Sequence, residues 1–263
     1  KTAEFLGRVI ATRSAASIAA FSLVWVLFEI FNIDYFWIYV IGGGFSVIAA
    51  FFCWQHFAYF PQKVTQTKKV VLRKRYWLYY ALQFMGGARR QIFVVFAAFL
   101  MVEKFEFSVG AISLLLLANA AINVTLAPKI GRLIHKFGER RSLIFEYVGL
   151  AFIFVGYAVV ESSTFAVFLY IADHIFFSIA IALKTYFQKI ADPADIASSA
   201  GVSFSINHIA AVFIPVIFGL IWLYSPSLVF LAGAGMAVLS LFLALNMPAK
   251  PAAGNEVLLG KFT

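Results

Sequence analysis

The sequence predicts an all-α polytopic membrane protein with about eight transmembrane helices. Three observations lead there. The 263 residues are 63% hydrophobic and only 13% charged, where an ordinary soluble domain is roughly 45–50% apolar and about 25% charged. The apolar residues gather into stretches of about 20, the length that crosses a bilayer. Lys and Arg collect in alternate connections between those stretches. With a mean hydropathy of +0.91, the composition excludes a soluble enzyme, a disordered tail and a nucleic-acid-binding module. The net charge of +9 reads as basic loops at a membrane face. A β-barrel is excluded because its strands alternate polar and apolar over about 10 residues. The single cysteine, Cys53, makes neither an intrachain disulfide nor a cysteine-based metal site. No basic, apolar leader ending in small residues opens the chain, so no signal peptide is expected.

In order, the expected spans are Arg8–Phe31, Tyr35–Tyr59, Tyr76–Met101, Val109–Pro128, Ser142–Val160, Thr164–Tyr186, Ser198–Tyr224 and Ser227–Met247. Short polar breaks separate several of them: Asn32-Ile33-Asp34, Glu103-Lys104-Phe105-Glu106, Glu161-Ser162-Ser163 and Tyr224-Ser225-Pro226. Two breaks are longer and basic. One, at 61–75, opens at Pro61 and holds Lys63, Lys68, Lys69, Arg73, Lys74 and Arg75. The other, at 129–141, holds Lys129, Arg132, Lys136, Arg140 and Arg141. Of the 21 Lys and Arg, 17 fall on one side, Lys104 alone falls on the other, and Arg13, Arg89 and Arg90 lie inside spans. The basic side is expected to be cytoplasmic. That makes this a multi-pass protein of the cell membrane with both termini of the chain cytoplasmic. The chain divides into residues 1–60 with two helices, a basic cytoplasmic linker at 61–75, a six-helix unit at 76–247, and a cytoplasmic tail at 248–263. With Pro248, Pro251 and Gly254, the tail is expected to fray.

Charged groups at mid-bilayer cost about 2.5–3.5 kcal/mol on insertion scales, so the few that are present mark function. The third span carries Gln83, Gly86, Gly87, Arg89, Arg90 and Gln91 near its middle. Tyr76, Tyr80, Gln83, Gly87 and Arg90 follow helical spacing and form a polar stripe. Adjacent helical residues point about 100° apart, so Arg89 falls beside that stripe. The expectation is that at least one arginine meets substrate and the other faces a neighbouring helix. Gly86-Gly87 permits either an unwound segment or a close helix contact. The sixth span carries Asp173 and His174, candidates for proton coupling, although Asp173 with an arginine also makes sense as a structural ion pair. Asn119 and Asn123 share a face of the fourth span; Ser203 and Asn207 share one in the seventh, with His208 beside them and Pro215 expected to kink the helix. These amides serve either as ligands or as hydrogen-bond glue between helices. His208 reads as a packing histidine, and Arg13 as a structural residue that snorkels. Because buried polar groups in lipid need partners, one central wet cavity lined by four helices is expected.

The stretch after the fourth span reads Gly131-Arg132-Leu133-Ile134-His135-Lys136-Phe137-Gly138-Glu139-Arg140-Arg141. It resembles the signature loop of the major facilitator superfamily, Gly-x-Leu-Ala-Asp-Arg-x-Gly-Arg-Arg. Gly131, Leu133, Lys136, Gly138, Arg140 and Arg141 carry the match. His135 stands where the family pattern has Asp, so an Asp-based latch is not expected here, and Glu146 is a candidate substitute partner for Arg140 or Arg141. In that family twelve helices form two six-helix bundles joined by a long basic loop. The resemblance implies that this chain corresponds to helices five to twelve, with 76–247 as the C-terminal bundle and 129–141 as a gating loop.

The resemblance and the mid-span charges together imply a secondary active transporter working by alternating access. Its cargo is expected to be a small anionic or zwitterionic solute, with protons as a candidate coupling ion. The substrate-binding candidates are Arg90, Arg89, Gln83, Tyr80, Asn119, Asn123 and Asn207. A guanidinium offers a bidentate fork to a carboxylate or phosphate. Alternatives are an exporter of drugs or amphiphiles, favoured by 31 Phe and 11 Tyr, or an inactive fragment of a transporter. The glycine-proline motif of many drug–proton antiporters is absent from 8–31. No metalloprotease, nucleophile-elbow or phosphate-loop motif occurs, so enzymatic activity, cofactors, metal ions and nucleic-acid partners are not expected. The expected partners are the lipid bilayer and the solute.

Overall fold

The computed structural model describes residues 2–31, 33–57, 65 and 72–260. Most of the linker expected at 61–75, with Pro61, Lys63, Lys68 and Lys69, lies outside the described residues. Eight helices among those residues are long and apolar enough to cross a membrane. They are α1 (Thr2–Glu29), α2 (Tyr35–His56), α3 (Lys74–Phe105), α4 (Val109–Phe137), α5 (Glu139–Val159), α6 (Ser163–Ile190), α7 (Pro193–Tyr224) and α8 (Pro226–Leu245). Among the described residues, β geometry is limited to an isolated bridge between Ala252 and Asn255.

Short-range chemistry sets the helix ends. Ser108 Oγ accepts the N–H of Ala111 at 3.1 Å and starts α4. Asp192 Oδ1 accepts the N–H of Ala194 at 3.1 Å ahead of α7. Pro226 opens α8 where its missing N–H costs nothing. Glu106, in the left-handed region with φ 55°, closes α3. Within α3 the geometry changes: a 3-10 turn at Lys74–Tyr76, an α-helix at Trp77–Gln91, a wide π turn at Ile92–Ala97, and an α-helix again at Ala98–Phe105.

Two local expectations are corrected. The basic stretch 129–141 is mostly helix, because α4 continues to Phe137 and Gly138 alone makes the turn, at φ 85°. Long basic side chains are good helix formers, so the chain leaves the apolar layer without leaving the helix. Pro215 lies inside α7, as the sequence placed it. The described part of the tail, 248–260, is held in place rather than frayed. Tyr186 donates to the Glu256 carbonyl at 2.6 Å, Trp77 Nε1 donates to the Gly260 carbonyl at 3.0 Å, and the Leu259 N–H donates to Asn246 Oδ1 at 2.7 Å. Val257 is buried with Met247, Tyr186 and Leu143. That apolar anchor was hidden by the prolines and glycine around it.

Helices α3 to α8 share two apolar cores. One, toward the end that carries Glu103 and Lys104, joins Phe93, Phe96, Phe154, Tyr170, Trp222 and Phe230. The other, toward the basic end, joins Tyr76, Tyr79, Ile134, Leu143, Tyr186 and Phe187. Small residues let the backbones close: α5 packs along α8 and α3 along α7, with Gly233 against Phe154 and Ile92. The first helix packs along α4. At Gly7 a β-carbon would come within 2.5 Å of the Ala127 carbonyl oxygen and 3.1 Å of Pro128 Cα. In contrast, α2 buries none of its described residues.

The approach at Gly7 is backbone against backbone and has no rotamer to escape into. Gly7→Leu is expected to lower the thermal midpoint in detergent, at a cost on the order of 1–3 kcal/mol. Gly42→Leu, at a position facing open space, is expected to leave it within about 0.5 kcal/mol. Equal midpoints for the two variants would show that α1 and α4 do not depend on this contact.

Candidate functional site

The adjacent arginines of α3 part company. Arg89 is 1% exposed, whereas Arg90 is exposed. The guanidinium carbon of Arg89 lies 4.4 Å from the centre of the Tyr147 ring on α5, a cation–π distance. Two fully buried carboxylates, Glu146 on α5 and Asp173 on α6, both lie in the field of this guanidinium, and Glu146 also feels Asp173. Contact is through space. Nε and Nη1 of Arg89, both carboxylate oxygens of Asp173 and Oε2 of Glu146 have no hydrogen-bond partner. Asn119 on α4 is also buried, with both amide atoms unpartnered.

Arg90 turns the other way. It acts electrostatically on His174 and Lys184 of α6, and Lys184 also senses Arg13 of α1. None of Arg13, Arg90 and Lys184 forms an ion pair with a described residue. Behind them, Asn123 Nδ2 lies 2.6 Å from His174 Nε2, and Ser178 Oγ donates to Asn123 Oδ1 at 2.8 Å. With the amide so oriented, His174 Nε2 accepts the hydrogen bond and carries no proton. Gln83 and Asn207 are half-buried. A β-carbon at Gly87 would come within 2.7 Å of Asn207 Oδ1, whereas Gly86 faces open space. The glycine pair therefore serves a close α3–α7 contact within an intact helix. Tyr80 is buried, its hydroxyl 3.3 Å from Ser199 Oγ, and Ser203 Oγ donates to Tyr79 at 2.8 Å.

The single wet cavity expected from sequence is thus two environments. Arg90, His174 and Asn123 stand together with Lys184 and Arg13. Arg89 and Asp173 stand in a buried cluster with Glu146, and Asn119 is buried as well. The reason is electrostatic: two buried carboxylates on α5 and α6 attract the nearer arginine. The sequence reading missed Lys184 and Arg13 as members of the basic face. Lys184 lies six residues before the end of α6, where a basic residue ordinarily marks the membrane surface. His208 is exposed, not packed inside; its ring centre lies 3.9 Å from that of Phe204, and Nδ1 lies 2.9 Å from the Phe204 carbonyl oxygen.

The signature stretch works inside its own helix group. Gly131 is buried within α4. Glu139 holds Lys189 of α6 at 2.7 Å, and Arg140 Nη2 donates to the Leu245 carbonyl at the end of α8 at 2.9 Å. Lys136 and Arg141 are exposed. Glu146 does not substitute as partner for Arg140 or Arg141, because one turn deeper it faces Arg89. A second fastening was not foreseen. Arg73 donates twice to Asp195, Nε to Oδ2 at 3.1 Å and Nη2 to Oδ1 at 3.0 Å, and Arg75 lies 3.7 Å from the same carboxylate. The Asp195 carboxylate raises the pKa of Arg73 above its usual value. The Tyr76 hydroxyl accepts the Asp192 N–H at 2.9 Å and also meets Arg75. At the opposite end, Lys104 holds the Val160 carbonyl at 2.7 Å and Glu161 at 3.0 Å, and Trp222 Nε1 donates to Glu103 at 2.7 Å.

The two arginines should therefore respond in opposite ways to truncation. Arg89→Ala leaves two buried carboxylates facing no cation and is expected to destabilise the protein by on the order of 3 kcal/mol. Arg90→Ala is expected to change stability by less than about 0.5 kcal/mol. Thermal unfolding of the purified variants decides; a larger loss for Arg90→Ala would reverse the assignment.

No curated protein matches the chain in sequence. The family model of the Major Facilitator Superfamily matches residues 2–215, which takes in α1, α2, the basic linker, the signature stretch and both arginines. With eight apolar helices, no named strand among the described residues, and this match over most of its length, the chain belongs to the Major Facilitator Superfamily, a family of membrane transporters.

Proposed function

We propose that the protein is a secondary transporter working by alternating access on a small anionic or zwitterionic solute. The basic face formed by Arg13, Arg90 and Lys184 carries this reading. Arg13 of α1 and Arg90 of α3 both act on Lys184 of α6, and none of the three has a carboxylate partner among the described residues. Lys184 lies about two turns from the basic end of α6, Arg13 about three turns into α1, and Arg90 near the middle of α3. The three mark a path from the basic end to mid-span. A guanidinium in low dielectric binds a carboxylate or phosphate by charge-assisted, bidentate hydrogen bonds. Asn123, His174, Gln83 and Asn207 supply neutral polar groups beside it.

In this reading α1 and α2 belong to one bundle and α3–α8 to the other. Fastenings at Glu139–Lys189, Arg140–Leu245 and Arg73–Asp195 all join members of the second group, which suits a rigid body that rocks. Lys136 and Arg141 remain exposed for gating contacts with the first bundle. We place the basic end in the cytoplasm of the cell by the bias of Lys and Arg, and we take a proton as the coupling ion, with Asp173 as a carrier. The abundant aromatic residues do not call for a drug-exporter reading: many fill the two cores, and others such as Phe152, Phe168 and Phe242 point outward.

Losing a charge-assisted hydrogen bond costs about 1.5–3 kcal/mol. Arg90→Ala is therefore expected to reduce uptake of organic anions into proteoliposomes about tenfold or more, while Arg90→Lys retains part of it. The assay compares a panel of carboxylates and phosphate esters with lipophilic cations. Wild-type kinetics in Arg90→Ala, or preference for the cations, would remove the anion reading.

A further inference from the structure

We infer that Glu146 and Asp173 together hold one proton against Arg89, in a buried site apart from the basic face, and that this proton exchanges with the Glu103 end of the molecule past Tyr157. The inference deepens the transport reading, because it gives the coupling ion its own place; its physical basis is independent of transport.

One guanidinium faces two carboxylates, and all three side chains are buried. Among the described residues, Arg89 is the cation that acts electrostatically on Glu146 and Asp173. From α3 comes Arg89; from α5, Glu146, Tyr147 and Tyr157; from α6, Tyr170 and Asp173. His174 is turned to Asn123 of α4, and the neighbouring α8 contains no titratable residue. An ionised carboxylate out of water without a partner takes up a proton instead of keeping its charge. Two carboxyls sharing one cation therefore keep one proton between them, and the cluster is neutral with it and negative without it. The bare oxygens of Asp173 and Glu146 are free to carry that proton.

The route follows from Tyr157. Its hydroxyl is buried, has no hydrogen-bond partner, and lies within electrostatic reach of Asp173. Its ring lines a cavity of about 360 Å³ together with Glu103, Trp222, Ser227 and Phe230. That cavity lies at the end opposite the basic residues. Arg90 and Lys184 oppose proton entry from the other side by their charge. A proton taken up from the Glu103 end and a solute anion held by Arg90 would thus meet opposite faces of the same stretch of α3, and Arg89-Arg90 is where the two sites adjoin.

Infrared spectroscopy of the protein in membranes tests this without any substrate. At neutral pH the wild type is expected to show the carbonyl stretch of a protonated carboxylic acid. Glu146→Gln and Asp173→Asn are each expected to abolish it and to stay folded, because each leaves one carboxylate facing one guanidinium. If both variants fail to fold, carbon-13 labelling of Glu and of Asp in the wild type replaces them: one label must shift the band. Tyr157→Phe is expected to slow exchange of the band in heavy water several-fold. No band in the wild type, a band that survives in both variants, or a band shifted by neither label overturns the one-proton site; an unchanged exchange rate in Tyr157→Phe overturns the route. Uptake indifferent to Arg90→Ala would remove the transport reading and leave the proton site standing.

Discussion

A guanidinium enclosed between α3, α5 and α6 organises the rest of the molecule. Arg89 sits at the level where an apolar membrane tolerates charge least. It remains there because Tyr147 offers a ring face and Glu146 and Asp173 offer compensating charge. Three helices are thereby held to one depth and one rotation. The next residue along inherits its direction from this arrangement. With Arg89 committed inward, Arg90 points about 100° away, toward α6 and α1. The buried ion cluster and the basic face are two results of one constraint.

The fastenings at the membrane faces show the same economy. Near the basic end, Arg73 with Asp195, Lys189 with Glu139, Arg140 with the Leu245 carbonyl, and the folded tail tie α3, α5, α6, α7 and α8 together. At the other end, Lys104 and Trp222 add α5 and α7 to α3. The contact between α1 and α4 is of another kind. It is close and apolar at Gly7 and Ala127, with no ion pair among the described residues. The helices from α3 onward are instead joined to one another by the charged fastenings at both ends.

Length and apolarity made the eight spans legible in the sequence, since nothing else accounts for repeated stretches of about 20 apolar residues. The glycines and basic residues of 131–141 made the family legible. Periodicity also separated Arg89 from Arg90. What sequence did not show was which arginine would turn inward, because that depends on Glu146, a residue one turn inside α5 that looked like a neighbour of Arg140. Lys184 was hidden for a similar reason: its place near a helix end resembled an ordinary surface lysine until α1 was seen beside it. Asp195 and Arg73 lie 122 positions apart, beyond any local pattern. The tail was misjudged because Pro and Gly argue for disorder only when no apolar residue such as Val257 finds a socket.

The wide turn at Ile92–Ala97 follows directly after the two arginines. A π turn accommodates one residue more than the α-helix around it, so the two halves of α3 are out of phase by about a quarter-turn. The half before the turn can therefore aim Arg89 at α5 while the half after it aims Leu100 and Met101 into the core of Phe154 and Phe230. Shortening the chain by one residue in this stretch would restore a uniform spiral and force a choice between the two alignments. The surplus residue thus works as a swivel that lets a single rod satisfy two separate sets of neighbours.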